Sequence, residues 1–489
     1  MRSIEAAREE VQREFAKVLR VADADGARTL AEAERQLWTL LLGLGRALVC
    51  LFLARQAVRP RVAEYEHGGR QWRISGQRRS EIGTRFGKVE FRRPVGREVQ
   101  LWRGACDLPV DRELGLCGGF SLGVVLAMTR LCAQLAFTAS RENFREAYEW
   151  RPSPRAVLRM VDAVGAAAKG FLEQAPAPEG EGEVLVIQVD GRGAPMISPQ
   201  EHERRCRPHA AKSDVPRRRV KRSRRRQWPR KRRTSGKKSK NAKVAVVGVI
   251  YTLRRTRFGM EGPLNKRLIA TFESHEALFI WLRREADKRG YGLRRTLFLA
   301  DGYESIWTLQ QRYFPLAEPC IDWCHVVEKF WSVGTCFHEE GSDELKGWVA
   351  EQTARLRRGT ARAIIDELTT ALAATSKLGP GNKWKRKKLT DTIRYLTDHQ
   401  GRMPYAQFRR DDLDIGTGAA EGAVRNLIAM RLDGPGMRWS RQRSERLLHL
   451  RCILLNNQWQ SFAQDIEGRG DLRLAARPLP AQPHLAKAA

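Results

Sequence analysis

Three acidic side chains stand where a carboxylate can do chemistry. Asp190 closes the β-branched run Val184–Val189 and is followed by Gly191. Asp301 closes the short apolar run Leu297–Ala300 and is followed by Gly302. A carboxylate at the end of a buried strand, beside a glycine that frees the next turn, is a common placement for reactive groups in α/β sheets. Asp-Gly is also an ordinary turn, so one such pair alone says little, and two in one sheet segment say more. A third acid, Glu421, follows the loop Ile415-Gly416-Thr417-Gly418. Thr417 there suits a helix N-cap and puts Glu421 in the first turns, where it can face the same sheet edge. Three converging carboxylates can hold two divalent cations about 3.5–4 Å apart, an arrangement suited to phosphodiester chemistry. Oxygen ligands favour Mg²⁺ or Mn²⁺.

The rest of the chain fits an anionic substrate. Its 489 residues carry 89 Lys+Arg against 56 Asp+Glu, a net charge of +33. Such a chain is drawn to polyanions, nucleic acid first and an anionic membrane surface second, and is poorly matched to a small neutral metabolite. The segment 217–240 alone holds 15 basic residues: Arg217, Arg218, Arg219, Lys221, Arg222, Arg224, Arg225, Arg226, Arg230, Lys231, Arg232, Arg233, Lys237, Lys238 and Lys240. It contains no acid and is expected to be a loop gripping phosphates without reading sequence. The apolar stretch Leu37–Ala54 is interrupted by Arg46, Gly43 and Gly45, so no membrane span is expected. The N-terminus lacks the apolar core of a signal peptide, and the nine cysteines include no Cys-x-x-Cys pair. A reducing cytoplasm is the expected location.

Periodicity supplies the elements that must hold these groups. Residues 1–65 read as helical, with Leu37, Leu40, Leu41, Leu44, Leu48 and Leu51 at helical spacing, and 66–118 as a small β-containing segment. Residues 119–173 read as helical again. Within them Ser153-Pro154 opens a helix after a break at Arg151-Pro152, as in a helix-turn-helix or an ordinary helical hairpin. Arg155 and Arg159 lie one turn apart on that helix, available to DNA, while Val157, Leu158 and Val161 form its apolar side. A Pro/Gly/Glu linker at 174–183 precedes a sheet domain at 184–325, with the basic loop 201–242 inserted after its first strand. A mixed sheet is expected from three strands followed by alternating helix and strand. A helical insertion at 326–410, a final segment at 411–465 carrying Glu421, and a mobile tail at 466–489 complete the chain.

These pieces, taken in order, resemble the RNase H-like DDE transposases of bacterial insertion sequences, in particular the Kra-type group akin to Mutator-like elements. The matching residues are Gln188-Val189-Asp190-Gly191, Ala300-Asp301-Gly302 with Trp307, Phe314-Pro315, and Ile321-Asp322-Trp323-Cys324-His325. Arg402-Met403-Pro404-Tyr405, Ile415–Glu421 and Gly436-Met437-Arg438-Trp439-Ser440 follow. The resemblance covers about 184–462. It implies a mixed α/β RNase H-like core with a long helical insertion, preceded by a mainly helical DNA-binding region. It implies Asp190, Asp301 and Glu421 as catalytic ligands of two Mg²⁺ or Mn²⁺ ions, with Asp322 and His325 as an accessory pair. The implied partners are double-stranded DNA, as terminal inverted repeats and target, and further copies of the chain on paired ends. A nucleoid-associated location follows. The chain departs from the family where Cys106 and Cys117 stand in place of a Cys-x-x-Cys pair, and at Asn241-Ala242-Lys243, where relatives often carry an acid. Two alternatives stay open: a catalytically silent transposase-derived DNA-binding protein, and a non-transposing RNase H-like nuclease. His202, Cys206 and His209 approach metal-ligand spacing but lack a fourth ligand, and Cys320, Cys324 and His325 crowd one strand end.

Overall fold

The computed structural model of the chain describes residues 4–24, 26, 28–99, 106–198, 200, 201, 203 and 242–474. The architecture is mixed α/β with two sheets, and the chain divides into two compact units. One contains the described residues up to Lys169 together with those from Asn457 onward. The other is Gly170–Asn456.

The first unit opens with α1 (Ile4–Ala22) and α2 (Leu30–Ala57). Thr29 and Glu32 form a capping box at the start of α2, each satisfying the other's backbone amide. The most apolar 18 residues of α2 have mean hydropathy 2.0, so by length and composition this helix can cross a bilayer despite Arg46 and its glycines. Leu42, Ala47, Leu53 and Ala54 are nonetheless buried. An antiparallel sheet follows: β1 (Glu64–His67), β2 (Arg70–Thr84), β3 (Gly87–Glu98) and β4 (Cys106–Asp107), in that order. Leu53 of α2 packs with Ile82, Val89, Phe91, Val110 and Leu116 in its core. After α3 (Pro109–Glu113) come α4 (Leu122–Gln134), α5 (Phe137–Tyr148) and α6 (Pro154–Gln174), the last crossing into the second unit.

The second unit is built on a five-stranded sheet: β5 (Val184–Pro195), β6 (Ala242–Thr256), β7 (Gly259–Thr271), β8 (Arg295–Ala300) and β9 (Glu318–Ile321). The spatial order is β7-β6-β5-β8-β9. β6 runs antiparallel to both its neighbours, and β5, β8 and β9 are mutually parallel. Residues Val184–Val189 are all buried, as expected of a strand covered on both faces, and the β-branched side chains suit that surface. α7 (His275–Lys288) and α8 (Glu304–Tyr313) connect β7 to β8 and β8 to β9. Gly248 of β6 lets α7 close in: a Cβ there would lie 2.7 Å from the Leu282 side chain.

The helical insertion comprises α9 (Trp323–Gly334), α10 (Asp343–Arg357), α11 (Ala361–Ala374), α12 (Asn382–His399) and α13 (Tyr405–Arg410), with a break at Gly379–Gly381. The chain then returns to the sheet through α14 (Gly418–Val424), a π-helical turn at Arg425–Ala429, and α15 (Arg441–Leu455). The following helix, α16 (Trp459–Arg469), belongs to the first unit.

Candidate active site

Strand register brings the aspartates together. Val189 of β5 pairs with Ala300 of β8, and Ala300 pairs with Ile321 of β9. The next residue on each strand is Asp190, Asp301 and Asp322. Three aspartates thus line the carboxyl edge of the parallel half of the sheet, where α/β sheets place their ligands. The sequence pattern ends a short strand at each of the three, Pro319–Asp322 included; the register adds that the three ends are level.

Each aspartate is held differently. Asp190 Oδ1 accepts the Gly191 amide at 2.6 Å, and Asp301 Oδ1 accepts the Tyr303 amide at 3.0 Å. Asp322 is fully buried. Its Oδ2 accepts the His325 amide at 2.9 Å and lies 2.6 Å from His325 Nδ1, and its Oδ1 accepts the Thr417 amide at 2.6 Å. Asp322 is therefore a clasp, tying the start of α9, the His325 ring and the loop before α14 to the end of β9.

A second clasp seats Glu421. Gln188, buried on β5, accepts the Ala420 amide at 3.0 Å and donates to Gly416 O at 3.2 Å. It also donates to the Tyr251 hydroxyl at 2.8 Å, which in turn donates to Asp414. The Trp323 amide adds a bond to Ile415 O at 3.0 Å. Thr417 occupies the N-cap position of α14 but does not cap it with its side chain; its hydroxyl points to Glu421 Oε1 at 3.5 Å instead. The π turn that follows is a feature frequent at functional sites. Beyond it, Trp439 pairs with the extended end of β5: its amide donates to Pro195 O at 3.1 Å, and its carbonyl accepts Ile197 N–H at 2.9 Å.

The electrostatics follow from this convergence. Burial pushes the Asp190 carboxyl above its usual value, and Asp301 and Glu421 push the same way against the Gly191 amide and His325. The hydrogen bond to Asp322 lifts His325 to about 9, against its partial burial. Burial would raise Asp322, but the hydrogen bonds from His325 and the Thr417 amide outweigh it and hold the carboxyl low. Among the described residues, Asp322, His325 and Glu421 form a His/Asp/Glu group whose ligand atoms all lie within 4.8 Å of one another. Neither Asp190 nor Asp301 belongs to that group, and each has one oxygen turned back to a backbone amide.

The carboxylate oxygens of Asp190, Asp301 and Glu421 suit a hard divalent cation, whereas His325, held protonated by its hydrogen bond to Asp322, is not a ligand. Cys320 is buried with its thiol near Ile321 O and Ile415 O, and no cysteine joins the group above. His202, Cys206, His209 and the whole run Arg217–Lys240 lie outside the described residues.

Residues beyond the motifs also border the site. Tyr395 of α12 lies against Gly302, where a Cβ would meet its ring at 2.3 Å. Its buried hydroxyl has no hydrogen-bond partner, and burial together with Asp301, Asp322 and Glu328 raises its pKa. Trp307 donates to Asp301 O at 2.8 Å, and Arg402 lies 4.8 Å above the Trp307 ring. A tyrosine in a polar amphipathic helix carries no signal of such a place.

In the first unit, Ser153 caps α6 by accepting the Ala156 amide at 3.2 Å, with Pro154 in the first position. Val157, Met160, Val161, Val164 and Ala168 are buried, whereas Leu158 is only half-buried. Arg155 is exposed and Arg159 partly covered. No protein-family model matches the chain, and no curated protein matches it either.

Proposed function

We propose that this protein is a DNA transposase of the RNase H-like DDE kind, which cleaves DNA at element ends and joins the freed 3′-hydroxyl to target DNA. One observation carries the reading: Asp190 and Asp301 at register-equivalent ends of adjacent parallel strands, with Glu421 clasped to the same edge. The sheet supports an RNase H-like core. Its strands lie in the order three-two-one-four-five, with only the second antiparallel to the rest. The resemblance of the motifs in 184–462 points the same way.

Asp190, Asp301 and Glu421 are the residues that would hold Mg²⁺ or Mn²⁺. There the ions would supply two-metal chemistry, activation of the attacking oxygen and stabilisation of the leaving oxygen of a phosphodiester. His325, carried by Asp322 and protonated at neutral pH, offers its outer ring nitrogen to a phosphate oxygen. Tyr395 supplies a second donor beside Asp301. Arg155, Arg159 and the basic run 217–240 are proposed to hold DNA, as several copies act on paired ends in the nucleoid. Neutralised phosphates would make that binding strongly salt-dependent.

Nicking of a supercoiled plasmid carrying the sequences that flank the coding region, with Mg²⁺ or with EDTA, tests this reading. Metal-dependent nicking confined to the flanking ends is expected. Specific binding without cutting would indicate a silent DNA-binding derivative, and cutting indifferent to those ends would indicate a nuclease.

A further inference from the structure

An exposed apolar stripe runs along α2. Leu37, Leu41, Leu44, Leu48 and Leu51 recur at alternating steps of four and three residues. That spacing lines them up on one face of the helix, a seam that a second helix can pack against. Its inward side is already used: Leu42, Ala47, Leu53 and Ala54 are buried. The seam is not covered. Leu41 is 46% exposed and Leu48 48%, with Trp38 at 49% and Phe52 at 52% on one flank. Leu37, Leu44 and Leu51 are half-buried.

We propose that α2 is a self-association surface, and that its occupant is α2 of a second copy, running antiparallel. The charges at the two ends of the seam choose the partner and the direction. Extending the repeat outward gives Glu34 at one end and Arg55 at the other, with no charged residue in the seam between them. A parallel pair would set Glu34 against Glu34 and Arg55 against Arg55. An antiparallel pair places Leu41 opposite Leu51 and Leu44 opposite Leu48. Arg55 then falls level with Leu37 of the other copy, one helical turn from its Glu34. The same two-fold relation brings Trp38 of each copy beside Phe52 of the other. A bilayer would meet the apolar residues equally well but would give Glu34 and Arg55 no partner. The seam spans about 21 Å at 1.5 Å per residue, a short contact. A net charge of +33 on each copy opposes association, so a micromolar dimer is expected. The inference does not rest on the catalytic reading.

The test is sedimentation velocity of the full chain, freed of nucleic acid, at about 0.3 M salt and from about 1 to 100 μM protein. The native chain should pass from monomer to dimer. Leu41→Gln with Leu48→Gln should raise the dissociation constant at least about tenfold. Both sites are about half exposed, so the variant's melting curve should stay close to native. Glu34→Arg or Arg55→Glu alone should weaken the dimer by about three- to fivefold, and the two together should restore it. A native chain monomeric throughout, a dimer indifferent to the leucine changes, or a charge swap that fails to restore pairing would each overturn the proposal. So would flotation with phosphatidylcholine vesicles that the leucine changes abolish, since that assigns the surface to lipid.

Discussion

Asp190 and Asp301 stand side by side because the residues before them, Val189 and Ala300, are register partners in the parallel pair β5–β8. A one-residue slip of either strand would turn one carboxylate to the opposite face of the sheet. The site is thus fixed by strands whose residues before the acids, Val189, Ala300 and Ile321, are fully buried, and the parts that hold it can be tested one at a time.

In the metal-free cluster, burial first and like charge second disfavour the ionised form of Asp190. Burial and the neighbouring carboxylates raise Asp190, so its ionised form costs stability that is progressively lost as pH rises through its folded pKa. In EDTA at neutral pH, Asp190→Asn should melt above the native chain, since the amide keeps the Gly191 hydrogen bond without the charge. Saturating Mg²⁺ or Mn²⁺ should raise the native melting temperature. At 100 times the dissociation constant the gain is about 2.7 kcal/mol, and Asp190→Asn and Glu421→Gln should lose most of it. Equal stabilisation of all three by metal in differential scanning fluorimetry would place the ion elsewhere.

His325 carries a pH signature. Its folded pKa of about 9 lies above its ordinary 6.5. In metal-free protein the protonated ring therefore stabilises the fold fully below about pH 6.5, and the contribution fades as pH rises through about 9. The stability difference between the native chain and His325→Gln, from urea unfolding, should shrink along the same course. A difference that stays constant from pH 6 to pH 9.5 would contradict the pairing with Asp322.

Gln188 is a positioning residue for Glu421. Gln188→Leu removes the bonds to Ala420 N, Gly416 O and the Tyr251 hydroxyl, leaving buried polar groups unpaired at about 1–3 kcal/mol. Cleavage should fall while the Mg²⁺ concentration for half-maximal rate rises. A loss of stability with an unchanged metal requirement would limit Gln188 to the fold.

Gly302 and Tyr395 make a coupled pair. A methyl at 302 would meet the Tyr395 ring at 2.3 Å, so Gly302→Ala should cost about 1–3 kcal/mol through overpacking. Tyr395→Phe removes a buried hydroxyl that has no partner, so stability should hold or rise slightly. If the phenol donates to the reacting phosphate, that variant should still cut about tenfold more slowly. Native-rate cleavage by Tyr395→Phe would leave the residue a packing role alone.

Local pattern exposed much of this architecture, and distance concealed the rest. The β-branched run ending at Asp190 and the apolar run ending at Asp301 are visible because buried parallel strands need such residues. The continuation of β5 through Gly191–Pro195 is not, since glycine, arginine and proline carry no strand signal; β6 and Trp439 hold it extended. Likewise the first half of β7, Gly259–Lys266, is polar and broken by glycine and proline. The Gln188–Tyr251–Asp414 chain joins residues 63 and 163 positions apart, beyond any spacing rule. The resemblance marks Asp322 as an accessory acid, but of its three hydrogen bonds only the two to His325 are local; the third comes from Thr417, 95 positions away. Periodicity also found the leucines of α2, while which of them face outward depends on the rest of its unit.

The central claim is that Asp190, Asp301 and Glu421 together perform metal-dependent strand cleavage. Its most direct measurement is single-turnover cleavage of end-labelled DNA carrying the element's ends, with Mg²⁺, by the native chain and by Asp190→Asn, Asp301→Asn and Glu421→Gln. Binding to the same DNA is followed in parallel. The account predicts that each substitution abolishes cleavage, a loss of at least about a thousandfold or roughly 4 kcal/mol of barrier, with binding largely intact. A variant at any of the three positions that cuts at near the native rate would contradict it.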